Sequence, residues 1–137
     1  MSQLMKSKTL NVSIAVSPFA VYELASKPEN MPIWACGFAK SVTLSKNGWI
    51  VETSDGPVTL RFVECNVFGV LDHIVTLPQG LEIFNSMRVI PNGNGSEVLF
   101  TLFQAEGRSA QQFAEDAKLV QNDLRTLKRL LEGGPVE

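Results

Sequence analysis

FAEDAKLVQNDLRTLKRLLE, residues Phe113–Glu132, is the stretch whose reading decides the fold. Its apolar members Phe113, Ala117, Val120, Leu124, Leu127 and Leu131 recur at three- and four-residue steps, the spacing that lines one face of an α-helix. Glu115, Asp116, Lys118, Asn122, Arg125 and Arg129 fall on the other faces. Ser109, with Gln112 three residues on, reads as a capped start, and Gly133-Gly134-Pro135 as a stop. A long helix, Ser109–Glu132, with a single apolar stripe must cover something.

Upstream the period is two. Asn47-Gly48, Asp55-Gly56, Gln79-Gly80 and Asn92-Gly93 punctuate the chain at hairpin spacing. They predict six strands at Cys36–Ser45, Trp49–Thr53, Val58–Cys65, Gly69–Leu77, Leu81–Ile90 and Glu97–Gln104. Another strand, Thr9–Val16, puts Leu10, Val12, Ile14 and Val16 on one face. Ser17-Pro18 then starts a short helix to Ser26, and a second helical turn fits Pro28–Trp34. The fold class is therefore α+β: a seven-stranded curved antiparallel sheet wrapped around a long C-terminal helix, with two short helices after the first strand.

Composition bounds the function. The 137 residues are 45% hydrophobic and 19% charged, enough for a single domain over 1–137 and unlike a disordered chain. Twelve basic against fourteen acidic residues leave a net charge of −2, so the overall field argues for neither nucleic acid nor an anionic membrane as partner. Two cysteines and one histidine are too few for a structural zinc site; neither metal nor cofactor is implied. A disulfide between Cys36 and Cys65 stays open. The N-terminus lacks the apolar core of a signal peptide, and no apolar run approaches the ~20 residues of a membrane span. The expectation is a reduced, soluble, cytoplasmic protein.

Alternation locates the chemistry. Leu71, His73, Val75 and Leu77 share one strand face, as do Leu81, Ile83, Asn85, Met87 and Val89, and Val98, Phe100 and Leu102. Registers inferred from the turns, good to one pairing step, give a transverse row Trp49–Phe62–His73–Asn85–Phe100 beneath the helix, with Glu64 beside it. A buried polar group without a partner costs about 1–3 kcal/mol, so His73, Asn85 and Glu64 either satisfy one another or line a cavity. Asp72-His73 is no dyad, because strand neighbours point to opposite faces. Asp72 is expected outside and solvated, diagonal to an Arg88–Glu97 pair. Asn92-Gly93-Asn94-Gly95 opens no helix and reads as a hairpin turn rather than a phosphate loop. Phe84, Ile90, Leu99 and Phe103 make the outer face of the last hairpin apolar, which points to a wrong face assignment or a homodimer.

These strings together resemble the START-like, helix-grip (SRPBCC) superfamily, within it the polyketide cyclase/dehydrase-like proteins. The resemblance rests on the Ser17-Pro18 start after an alternating strand, Pro28–Trp34, GVLDHIV at Gly69–Val75, MRVIPNGNGSEVLF at Met87–Phe100 and the terminal helix. It implies a curved sheet gripping that helix over a pocket for hydrophobic ligands such as lipids or polyketides, with turnover in some members. No catalytic signature carries over with it.

Two readings follow for function. In the first, a small hydrophobic molecule binds among Trp34, Trp49, Phe62, His73, Asn85, Phe100, Phe113, Ala117 and Val120. In the second, a cyclase or dehydratase uses His73 as general acid/base, Asn85 as donor to a developing enolate and Glu64 to assist His73.

Overall fold

The computed structural model of the protein describes residues 4–133. Gly134 and Pro135, expected to help end the terminal helix, lie outside the described residues. Strand β1 (Ser7–Ile14) leads into α1 (Pro18–Ala25), a 3-10 turn (Pro28–Asn30) and α2 (Met31–Trp34). Six strands follow, β2 (Ser41–Ser45), β3 (Gly48–Thr53), β4 (Gly56–Phe62), β5 (His73–Thr76), β6 (Glu82–Asn92) and β7 (Gly95–Phe103), and then α3 (Ala110–Leu131). All seven strands form one antiparallel sheet in the order β1-β7-β6-β5-β4-β3-β2.

The helix starts are those the sequence encodes. Ser17 Oγ accepts the Ala20 N–H at 3.2 Å, with Pro18 in the first turn of α1. At α3, Ser109 Oγ accepts the Gln112 N–H at 3.1 Å while Gln112 Oε1 accepts the Ser109 N–H at 2.9 Å. This reciprocal pair satisfies two donors that an α-helix otherwise leaves open. Leu124 and Leu127 are fully buried, and α3 packs chiefly on β1, β7 and α2.

Alternation sorted the faces of the seven strands, with Leu81 and Glu64 as exposed exceptions just outside β6 and β4, and the core lies on the concave side. Leu10, Ile14, Val51, Leu60, Val75, Met87, Val98 and Leu102 are all buried there. On the convex side Phe84, Ile90 and Phe103 are exposed and Leu99 is half-buried, so the apolar outer patch is real.

Two registers differ from expectation by one pairing step, for one reason. A turn centred on Asp55-Gly56 would set Trp49 opposite Phe62. Ser54 and Asp55 are the central residues instead, so Thr53 pairs with Gly56 and Trp49 with Leu60. Gly56 closes the turn at φ 108°, a backbone region that favours glycine. Thr53 Oγ1 accepts the Asp55 N–H at 3.1 Å and donates to the Gly56 carbonyl at 2.7 Å. In the last hairpin Gly93 and Asn94 are the central pair, with Gly93 at φ 57°, and Phe100 faces Met87 rather than Asn85.

Two strands, β2 and β5, begin several residues later than their alternation suggests. Residues before Ser41 form a loop in which Phe38 N–H and Ala39 N–H both donate to the Ala35 carbonyl. Cys36 lies in that loop; it and Cys65 are exposed and free. Residues 69–72 continue alongside β6 through a single bridge, Val70 with Arg88, instead of a regular ladder, for a reason that belongs to the site. No helix of the described residues is long and apolar enough to cross a membrane.

Candidate functional site

His73 occupies the middle of the concave face. It pairs with Phe62 of β4 on one side and Asn85 of β6 on the other, as the turn-based register predicts. Its ring is 5% exposed, with the Phe62 centroid at 4.9 Å and the Phe100 centroid at 5.9 Å, the latter edge-on. Phe100 thus reaches the imidazole diagonally despite its shifted register.

A swap of hydrogen bonds fixes the imidazole. Leu71 N–H donates to the Met87 carbonyl at 2.8 Å, and a regular antiparallel ladder would return a bond from Met87 N–H to the Leu71 carbonyl. The Asp72 carboxylate intercepts that donor at 2.9 Å. The Leu71 carbonyl is left to His73 Nδ1, 2.9 Å away. A carbonyl can only accept, so Nδ1 carries the proton and Nε2 presents a lone pair. Nε2 has no hydrogen-bond partner among the described residues. Burial holds the imidazole pKa below its ordinary value of 6.5, against the opposing pull of the Leu71 carbonyl and the Asp72 charge. The ring is therefore neutral at pH 7.

Asp72 departs from expectation. It does point away from His73 and makes no hydrogen bond to it, but it is 5% exposed rather than solvated. Arg88 Nε and Nη2 grip its two oxygens at 3.0 and 2.8 Å, and that guanidinium holds the carboxyl below the usual carboxylate range. Arg88 faces Leu99, not Glu97; Glu97 instead accepts from Asn11, Ser13 and Asn92. A sequence cannot show that a carboxylate replaces a ladder carbonyl, since alternation only sorts residues by face.

The other expected site residues divide. Trp49, Phe62 and Asn85 lie on the concave face of β3, β4 and β6, each half-buried, with Ile83 beside them. Their partial exposure follows from the position of α3 over β1 and β7, which leaves the middle of the face incompletely covered. Phe100 and Phe113 are buried, and Val120 is half-buried. Ala117 is buried and lines a groove toward β1 with Leu10, so the room left by its small side chain opens at the sheet edge. Trp34 is 3% exposed, a plug in the core, and its Nε1–H has no partner among the described residues. Glu64 falls beyond the end of β4 and is exposed, so it stands neither inward nor beside His73. The loop from Glu64 to Val70 folds around Asn66, whose amide bonds four backbone groups and carries the chain away from the strand.

Asp123 was not anticipated. It lies on α3 at 7% exposure and accepts the Gly37 N–H at 3.0 Å, tying the loop after α2 to the helix. Burial pushes its pKa from 3.8 up to about 6. The one available signal was an acidic residue directly beside the fully buried Leu124. No group of three or more His, Cys, Asp or Glu side chains able to hold a metal occurs among the described residues.

Scanned against protein-family models the chain gives no match, and it gives none against the curated proteins. Solved structures do match. XoxI from Bacillus cereus superposes with a TM-score of 0.73 at 16% identity, over 93% of this chain and 96% of that one. Ara h 8.0201 gives 0.70 at 10% identity, over 95% and 99%. The chain has the helix-grip fold. The di-domain ARO/CYC BexL from the BE-7585A biosynthetic pathway gives 0.69 at 16% identity, covering 93% of this chain and 47% of its own. Identities this low carry the fold and not the chemistry. Within the helix grip of this chain, the imidazole is buried while its neighbours Phe62 and Asn85 still reach solvent.

Proposed function

We propose that the concave face around His73 binds a small hydrophobic molecule carrying a neutral hydrogen-bond donor, such as an aromatic hydroxyl. The observation that carries this reading is the neutral, buried imidazole whose Nε2 lone pair has no partner among the described residues. Phe62, Phe100 and Trp49 supply apolar and aromatic area on the same face, and Asn85 adds an amide on the neighbouring strand. Ligand sites are built in this way, largely apolar with a few placed polar groups. A carboxylate fits poorly, because a neutral acceptor in an apolar surround offers an anion nothing to replace its water. The neighbours in fold name no ligand for this chain.

The test compares 2-naphthol with naphthalene by fluorescence titration. Saturable binding of both is expected, with 2-naphthol tighter by about fivefold, the worth of one neutral hydrogen bond. His73→Phe keeps a ring between Phe62 and Phe100 and should erase the difference. Absence of saturation for either compound, or an undiminished preference in the variant, rejects the reading.

A second reading, proton transfer by His73 in a cyclase- or dehydratase-type reaction, draws on the same unpartnered Nε2, which suits a general base. Glu64 has no part in it, being exposed. Retention of turnover in His73→Phe, for any substrate found to react, removes this role.

A further inference from the structure

The edge of the sheet at β1 carries a site of a different kind. Two contiguous grooves, of about 340 and 620 Å³, run between β1 and the flank of α3. Four cations line them, Lys8, Lys118, Arg125 and Lys128, and no acidic side chain does. Lys128 is paired with Glu132 at 2.8 Å, whereas Lys8, Lys118 and Arg125 make no ion pair among the described residues. Three uncompensated cations along one seam stand out in a chain of net charge −2.

The floor of the seam is an open strand edge. β1 pairs only with β7, so its alternate backbone groups point outward. Lys128 Nζ donates to the Ser13 carbonyl at 2.8 Å and Glu132 accepts the Ala15 N–H at 2.8 Å, which identifies the odd residues as the outward set and covers the end of the strand. Thr9 and Asn11 follow the same two-residue repeat, and among the described residues their N–H and C=O groups have no backbone partner on that side. Charged residues on an edge commonly guard it against self-association. Here the charge is of one sign, lies mainly on the facing helix, and leaves the Thr9–Asn11 backbone open.

We propose that this seam binds an extended acidic peptide segment of a partner protein, added to β1 as an eighth strand with its carboxylates against Lys8, Lys118 and Arg125. A polypeptide backbone matches an edge that offers donors and acceptors in alternation, while its acidic side chains match the walls. A nucleic-acid backbone meets the cations but brings only acceptors to the edge. This site is separate from the face around His73 and stands independently of it.

The test titrates fluorescein-labelled peptide of about eight residues, alternating glutamate and valine, into the full chain at low salt. Saturable binding is expected, with the Thr9 and Asn11 amide hydrogens protected from exchange in the complex. The double variant Lys118→Glu, Arg125→Glu alters exposed side chains and should keep its melting temperature while binding at least about tenfold more weakly. A peptide with proline at every second position keeps carboxylates but cannot pair, and should not bind. The proposal is overturned by lack of saturation, by charge reversal without effect, or by the proline peptide binding as tightly as the first. It is equally overturned if oligothymidylate binds with the same charge dependence and the edge amides stay unprotected when peptide is added.

Discussion

Acidification from pH 6.5 to 4.5 separates two buried groups that act in opposite directions. His73 has a folded pKa below 6.5, so on acidification the unfolded chain takes up this proton before the folded chain does. Its contribution to stability is complete above about pH 6.5 and is lost as the pH falls, at up to about 1.4 kcal/mol per pH unit. Asp123 does the reverse. Its folded pKa of about 6 lies above the ordinary 3.8, so on acidification the folded chain binds the proton first and gains stability. Over the full range from 6 to 3.8 that gain amounts to roughly 3 kcal/mol. The two groups therefore pull the profile in opposite directions between pH 6 and 4.5. Asp123→Asn removes the compensating gain, so its stability should fall more steeply than that of the wild type, by up to about 1.4 kcal/mol per unit. His73→Phe should lose less stability than the wild type as the pH falls. Urea unfolding followed by the fluorescence of Trp34 and Trp49 at half-unit pH steps measures the slopes, which do not depend on any constant loss in a variant. A profile parallel to the wild type in either variant would refute the reasoning.

Three further outcomes follow from the contacts. Asp72→Ala strands the Met87 N–H and frees Arg88, and should cost about 3 kcal/mol by urea unfolding, with Asp72→Asn costing less because its carbonyl oxygen can still accept that N–H; a loss under about 0.5 kcal/mol in the alanine variant would contradict the ladder swap. Glu64→Gln should leave naphthol binding unchanged in the same titration, since the side chain is exposed beyond β4. Phe84, Ile90 and Phe103 are exposed together, and a homodimer that covers them would appear in sedimentation velocity and dissociate in Phe84→Glu; a monomer at all concentrations would remove that interface.

Much of this molecule was legible because its signals are periodic. Alternation sorts side chains by face whatever the register, so His73, Asn85, Phe62 and Trp49 fall on the concave side wherever each turn is centred. Register is harder, since a hairpin depends on whether glycine sits inside the turn or closes it. Gly56 closes its turn, and that alone moved Trp49 from Phe62 to Leu60. Hydrogen bonds that break the repeat were out of reach. The carboxylate of Asp72 standing in for the Leu71 carbonyl leaves no periodic trace, yet it decides which nitrogen of His73 is bare. Glu64 failed for a related reason: alternation has no means of marking where a strand stops, and Asn66 turns the chain just after it.

The chain contains one histidine, so nitrogen-15 NMR of the imidazole reads its protonation without assignment. At pH 7 the expected spectrum is that of a neutral ring protonated at Nδ1, with an Nε2 signal that shifts to saturation as 2-naphthol is added. An imidazolium ring, a proton on Nε2, or an Nε2 signal indifferent to the ligand would contradict a binding face built around that lone pair.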